Sequence, residues 1–122
     1  MSKPALLLFA HGSSDPAWAQ PFERIRDAVA QSRPGMPVAL AYLERMSPSF
    51  AEGIAHLVAS GATEVTVAPL FLAPGGHVKS DLPALADTAR KKHGVNIRIL
   101  SSLGESAAMI EAIATWALDQ ST

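Results

Sequence analysis

The 122-residue sequence contains no cysteine. Disulfide staples, thiolate nucleophiles and sulfur-rich metal sites are therefore excluded, and the composition suits a reducing compartment. Neither sign of charge dominates. Ten Lys and Arg stand against eleven Asp and Glu, a net charge of −1. No overall basic field draws in nucleic acid or an anionic membrane. Long hydrophobic runs are missing too. The first apolar stretch, Ala5 to Ala10, has six residues, too few for a secretory-signal core or a membrane span. The expectation is a soluble, cytoplasmic protein with no nucleic-acid or membrane partner. Strand 1 is followed by neither a Gly-x-Gly-x-x-Gly fingerprint nor a Walker loop, which sets aside the usual dinucleotide and nucleotide cradles. Ala10 stands where a histidine-phosphatase site would place arginine, and no acidic residue of a phospho-receiver follows strand 1.

Apolar residues make up 48% of the chain and charged residues 17%, which argues for one packed domain over residues 1–122. Continuous apolar runs alternate four times with segments of helical period. Pro4 to Ala10 reads as a buried strand, and Pro16 to Ser32 as a helix capped by Asp15 with Phe22, Ile25 and Val29 on one face. Pro37 to Glu44 is the second strand. Ser47 and Pro48 open a second helix with Phe50, Ile54, Leu57 and Val58 as its stripe, closed by Gly61. Glu64 to Leu72 is the third strand. Ser80 or Asp81 opens a third helix with Leu82, Leu85, Ala86 and Ala89 inward, ended by Gly94 after Lys91, Lys92 and His93. Val95 to Leu100 is the fourth strand, and Glu105 to Leu118 the last helix, with Met109, Ile110, Ile113 and Ala117 on one side. Trp116 reads as core or subunit contact.

This alternation predicts an α/β fold: an open, mainly parallel four-stranded sheet of order 2-1-3-4 with helices on both faces. In that order the winding reverses between strands 1 and 3, and such folds bind ligands at the reversal. His11 follows strand 1, His77 follows strand 3, and Glu44 ends strand 2. All three therefore belong to one rim. Imidazole suits borderline divalent metals and also accepts protons near neutral pH. Two imidazoles and a carboxylate would leave open positions on an ion, as chemistry requires. His56 and His93, within or at the end of helices, read as structural. Gly12-Ser13-Ser14 reads either as a capped helix start or as an anion nest. Gly75-Gly76 either permits unusual backbone angles or brings amides to an anion. Arg45 and Lys79 could pair with carboxylates.

Three blocks carry a resemblance. Leu6-Leu7-Leu8-Phe9-Ala10-His11-Gly12-Ser13 with Asp15, Ala41-Tyr42-Leu43-Glu44 with Pro48, and Pro69-Leu70-Phe71-Leu72 with Gly75 and His77-Val78-Lys79-Ser80-Asp81-Leu82-Pro83 resemble the small, single-module sirohydrochlorin chelatases of the CbiX type. The resemblance covers nearly the whole chain. It implies a chelatase-like α/β fold and insertion of a divalent metal, cobalt first with iron or nickel as alternatives, into sirohydrochlorin or a related tetrapyrrole. His11 and His77 become metal ligands and proton acceptors, and Glu44 a third ligand or a base beside them. Gly12, Ser13, Arg45, Gly75, Gly76 and Lys79 become anchors for the substrate's carboxylates. The metal is substrate, no organic cofactor is implied, and larger relatives with two modules suggest a homodimer. Two features depart from the family pattern: Ser14 replaces a commonly charged residue, and Gly76 directly precedes His77. Two other functions remain open: a metal carrier or sensor on the same fold, and a mannose-type phosphotransferase IIA domain using His11 alone.

Overall fold

The computed structural model describes residues 2–73 and 75–121, with the backbone alone at position 77. Its sheet is built from β1 (Pro4–Ala10), β2 (Val38–Tyr42), β3 (Glu64–Pro69) and β4 (Asn96–Ile99). All three pairings are parallel and the order is β2-β1-β3-β4. In register, Leu8 lies between Leu40 and Ala68. The helices are α1 (Gln20–Ser32), α2 (Phe50–Ala59), α3 (Gly76–His93) and α4 (Ala107–Gln120), and short 3-10 turns precede α1 (Pro16–Ala19) and α4 (Leu103–Glu105). The expected sheet order and alternation are met.

The two faces of the sheet are filled unequally. On one, Leu7, Phe9, Val65 and Val67 pack with Phe50, Ile54 and Leu57 of α2 and Leu82, Ala86 and Ala89 of α3, all buried. The Phe9 ring meets Phe50 and Phe71 edge-on, with centroids 5.3 and 5.9 Å away, the arrangement favoured by aromatic quadrupoles. Gly53 belongs to this tight layer: a Cβ there would press on Leu7 and Ala41. The opposite face holds a smaller cluster of Leu8, Ala10, Ala19, Leu40 and Tyr42. No residue of α1 is fully buried, and Ile25 is 40% exposed.

Beside shifts of one to four residues at other element ends, among them β3 closing at Pro69 and not Leu72, two helix starts and the packing of α4 differ from expectation. α2 is capped by Ser49, not Ser47. Ser49 accepts the Glu52 N–H at 3.2 Å and Glu52 accepts the Ser49 N–H at 2.8 Å, a reciprocal box open to Ser49 because an acidic residue follows three positions later. Pro48 stays outside the helix, where its carbonyl accepts the Tyr42 N–H at 2.9 Å. α3 begins at Gly76, ahead of Ser80 and Asp81. Its first turn is held by the Gly75 carbonyl, which accepts from Val78 and Lys79 at 3.1 and 3.2 Å. Pro83 thus lies inside the helix, whereas proline is ordinarily read as a first-turn residue. The third difference is α4: every residue from Ala107 to Ser121 is exposed, Trp116 at 66%, so the core alternative for that indole does not hold.

Candidate active site

His11 is the first residue beyond β1, and Glu44 lies two residues beyond β2. Two backbone bonds extend the ladder past both strands and hold these residues side by side. Leu43 N–H donates to the Ala10 carbonyl at 2.9 Å, and Glu44 N–H to the His11 carbonyl at 3.1 Å. Gly12 makes this approach feasible. Its φ of +98° is costly for any other L-residue, and a Cβ there would collide with the Glu44 carbonyl oxygen.

The side chains follow the backbone. His11 Nε2 lies 3.1 Å from Glu44 Oε1, with the two side chains 52% and 51% exposed. The pair is open to an incoming guest from the rim. Arg45 Nε stands 3.8 Å from the same carboxylate oxygen, and Arg45 itself has a left-handed φ of 65°, an uncommon conformation for a residue with a side chain. The His11 ring also meets Phe71 edge-on, centroids 6.3 Å apart. Phe71 in turn packs on Phe9, so an unbroken aromatic stack links the imidazole to the core. The sequence pattern assigned Phe71 to a strand and gave no sign of this supporting role. Beneath the rim, burial and then the Glu23 carboxylate push the Tyr42 phenol above its ordinary pKa of 10.0, against an opposing effect of Arg26.

The pair suits a divalent ion. Donors about 2.1 Å from one metal and 3.1 Å apart subtend about 95° at it, close to two adjacent corners of an octahedron. An ion bound there would replace the proton shared by nitrogen and oxygen. Among the described residues no group of three His, Asp or Glu converges. The third expected ligand, His77, is the second residue of α3, after β3; its side chain lies outside the described residues. The expected anchors divide. Ser13 Oγ accepts the Asp15 N–H at 3.1 Å and Asp15 accepts the Ala17 N–H at 3.0 Å, so the first loop carries a capped helix start. Gly75 and Gly76 have no positive φ and nothing within 4 Å of where a Cβ would sit; unusual backbone angles do not explain them. Pro74 lies outside the described residues. Lys79 is exposed in the first turn of α3.

A family model for CbiX matches residues 5–119. The chain belongs to the CbiX family. A sirohydrochlorin cobaltochelatase from Methanosarcina acetivorans is 30% identical over 76% of this chain and 72% of its own length. One from Saccharolobus islandicus is 38% identical over 66% of this chain and 61% of its own length. Across these and a further curated relative, the matches span between 56% and 72% of the relative's length. Among solved structures, a CbiX protein ascribed to cobalamin (vitamin B12) biosynthesis from Marinobacter aquaeolei VT8 superposes with a TM-score of 0.85 at 32% identity, over 96% of each chain. The sirohydrochlorin chelatase SirB from Bacillus subtilis subspecies spizizenii, solved in complex with cobalt, superposes at 0.75 and 26% identity, over 96% of this chain and 50% of that one. Membership of the CbiX family removes the phosphotransferase alternative.

Proposed function

We propose that this chain is a chelatase that inserts a divalent metal, cobalt first, into sirohydrochlorin. The observation that carries the reading is the His11–Glu44 pair, 3.1 Å apart and half exposed at the carboxyl edge of the sheet, in a chain of the CbiX family. Curated relatives are named for cobalt insertion, and a solved neighbour carries cobalt.

The chemistry follows from the pair. Insertion must strip water from the ion and remove two pyrrole protons. The pair can hold either the ion or a shared proton in the same gap. Passing the metal to the macrocycle leaves both donors vacant, and they take up one released proton. His77, across the crevice on α3, takes the role of second imidazole and second acceptor. Carboxylates of the substrate are anchored by Arg45, Lys79 and the backbone amides of Gly12, Ser13, Gly75 and Gly76, with the start of α3 favouring anions. Gly75 and Gly76, at the cap and first position of α3, keep that approach clear of side chains. The small cleft lined by Phe71, Val78, Lys79 and Leu82 measures about 150 Å³, too little for a macrocycle. The macrocycle therefore lies across the open rim. A second copy of the chain covers its outer side. The protein works in the cytoplasm, consistent with its lack of cysteine; among the described residues no helix is long and apolar enough to cross a membrane.

The test is anaerobic metal insertion into sirohydrochlorin with cobalt, ferrous iron and nickel in parallel, followed by the macrocycle absorbance. Metal-dependent turnover, fastest with cobalt, is expected. Metal binding without any macrocycle band shift would leave a carrier in place of an enzyme.

A further inference from the structure

Directly beside the metal-suited pair the chain takes an uncommon turn. Leu43 and Glu44 still follow the ladder beyond β2, bonded to the carbonyls of Ala10 and His11. Further along, the Pro48 carbonyl comes back to accept the Tyr42 N–H at 2.9 Å. The backbone must therefore reverse between Leu43 and Pro48. Arg45 makes that reversal with a φ of 65°; among the described residues it alone, glycines apart, has a positive φ. A left-handed backbone strains any residue with a Cβ, and glycine would make the turn with less strain. Strain of this kind collects at functional sites.

The turn decides where the guanidinium lies. In an extended strand, neighbouring side chains point to opposite faces, so Glu44 and Arg45 would part. The left-handed turn brings them together. Arg45 Nε lies 3.8 Å from Glu44 Oε1, the same oxygen that stands 3.1 Å from His11 Nε2. Among the described residues no other acid pairs with Arg45. A separation of 3.8 Å is past hydrogen-bond length, so charge alone holds the contact. The two side chains are 62% and 51% exposed, and exposed pairs of this kind are weak. The arginine is seated on Glu44 yet able to leave it.

One carboxylate oxygen thus faces two cations in turn. A divalent ion in the His11–Glu44 gap would lie about 2.1 Å from it. A dication and a unit charge about 6 Å apart repel by the equivalent of about tenfold in affinity even in water, and by less in salt. We propose that Arg45 is a charge-sensing latch that moves between Glu44 and a carboxylate of the macrocycle. With the gap empty it rests on Glu44. An arriving dication drives it off, and the freed guanidinium grips the macrocycle. Once the metal passes into the ring, the local positive charge falls and the arginine returns to Glu44, releasing the product's carboxylate. Metal and macrocycle then each raise the affinity for the other, as linkage requires. The inference rests on the chelatase reading above and adds to it an order, metal before macrocycle.

The test compares the parent with Arg45→Gln, which keeps the Cβ but removes the charge, and with Arg45→Gly, which also removes the strain. Cobalt alone is titrated calorimetrically into each full-length protein. Both variants should bind it roughly three- to tenfold more tightly. The difference should shrink between roughly 0.05 and 0.5 M salt, as exposed charges are screened. In insertion assays at saturating cobalt, both variants should show a severalfold higher KM for sirohydrochlorin, the loss of one exposed charge-assisted bond. The two shifts have opposite sign, which a residue that merely shapes the loop does not produce. Unchanged or weaker cobalt binding by Arg45→Gln would overturn the latch. Tighter binding by Arg45→Gly alone would assign the effect to backbone strain and equally overturn it, as would tighter cobalt binding with an unchanged KM. The cobalt titration needs no turnover. If the parent inserts no metal while both variants bind cobalt more tightly, the chelatase reading alone falls. If it inserts metal and the variants bind cobalt no more tightly, the latch alone falls.

Discussion

Replacing Gly12 with alanine should damage the protein far more than the same change at Gly75 or Gly76. Gly12 has φ +98°, and an added Cβ meets the Glu44 carbonyl oxygen, an atom of the backbone that cannot swing aside. A left-handed backbone costs an L-residue roughly 1–2 kcal/mol. Relieving the collision must also pull apart the bond from Glu44 N–H to the His11 carbonyl, 3.1 Å long, for about 1 kcal/mol more. The sum, about 2–3 kcal/mol, is survivable for a domain of ordinary stability, roughly 5–15 kcal/mol. At about 4 °C per kcal/mol for a chain of this size, the midpoint of thermal unfolding should fall by roughly 8–12 °C. Cobalt affinity should fall as well, because the displaced backbone carries both donors. Gly75 and Gly76 have ordinary backbone and open space, so Gly75→Ala and Gly76→Ala should stay within about 0.5–1 kcal/mol of the parent. Calorimetric melts of the three variants decide. A Gly12→Ala protein that melts with the parent, or a Gly75→Ala protein that falls as far, would refute the claim that close backbone approach builds the site.

Three further outcomes are expected. His77→Ala should slow cobalt insertion by roughly 10²-fold, the usual worth of a positioned acid–base group; a near-normal rate in the insertion assay would remove His77 from the machinery. Tyr42 is the single tyrosine, and its phenol titrates above 10.0 in the folded chain, so folding favours the neutral form. That contribution is full below pH about 10 and is lost as pH rises through the folded value. Tyr42→Phe should therefore flatten the alkaline fall in stability, read from melts across that range, while phenolate absorbance of the parent should titrate late. Ser49→Ala removes the acceptor for Glu52 N–H and should cost about 1 kcal/mol in denaturant unfolding. A similar loss from Ser47→Ala, with none from Ser49→Ala, would restore the earlier helix start.

Much of the architecture is legible in the residues because the strands are short apolar-rich runs and the connections between elements are brief. β1 is buried from both faces, so its hydrophobicity does not alternate, whereas β3 and β4 alternate like strands covered fully on one face; the repeated exchange of strand and helix then leaves few parallel topologies. His11 and Glu44 could be matched because both follow strands that pair in register. The helix starts were harder to read. Ser47-Pro48 and Ser49 with Glu52 are competing caps, and the choice is made by the bond from Tyr42 N–H to the Pro48 carbonyl, a contact remote in sequence. α3 starts on a bare glycine whose cap is a backbone carbonyl, which leaves no side-chain signal, and Pro83 draws the eye to a later start. The apolar pattern of α4 marks the helix, but periodicity is silent about packing, and every residue from Ala107 to Gln120 is exposed. The Phe71 support of His11 depends on how the chain turns after β3, which the run Pro69-Leu70-Phe71-Leu72 does not reveal.

The central claim is that the imidazole of His11 and the carboxylate of Glu44 act on one ion. It is tested most directly by single-turnover cobalt insertion in a double-mutant cycle of His11→Ala and Glu44→Gln. If both hold the same metal across a 3.1 Å gap, either change alone should remove most of the rate, and the double variant should be little slower than the worse single one. Two independent losses that multiply in the double variant would contradict it.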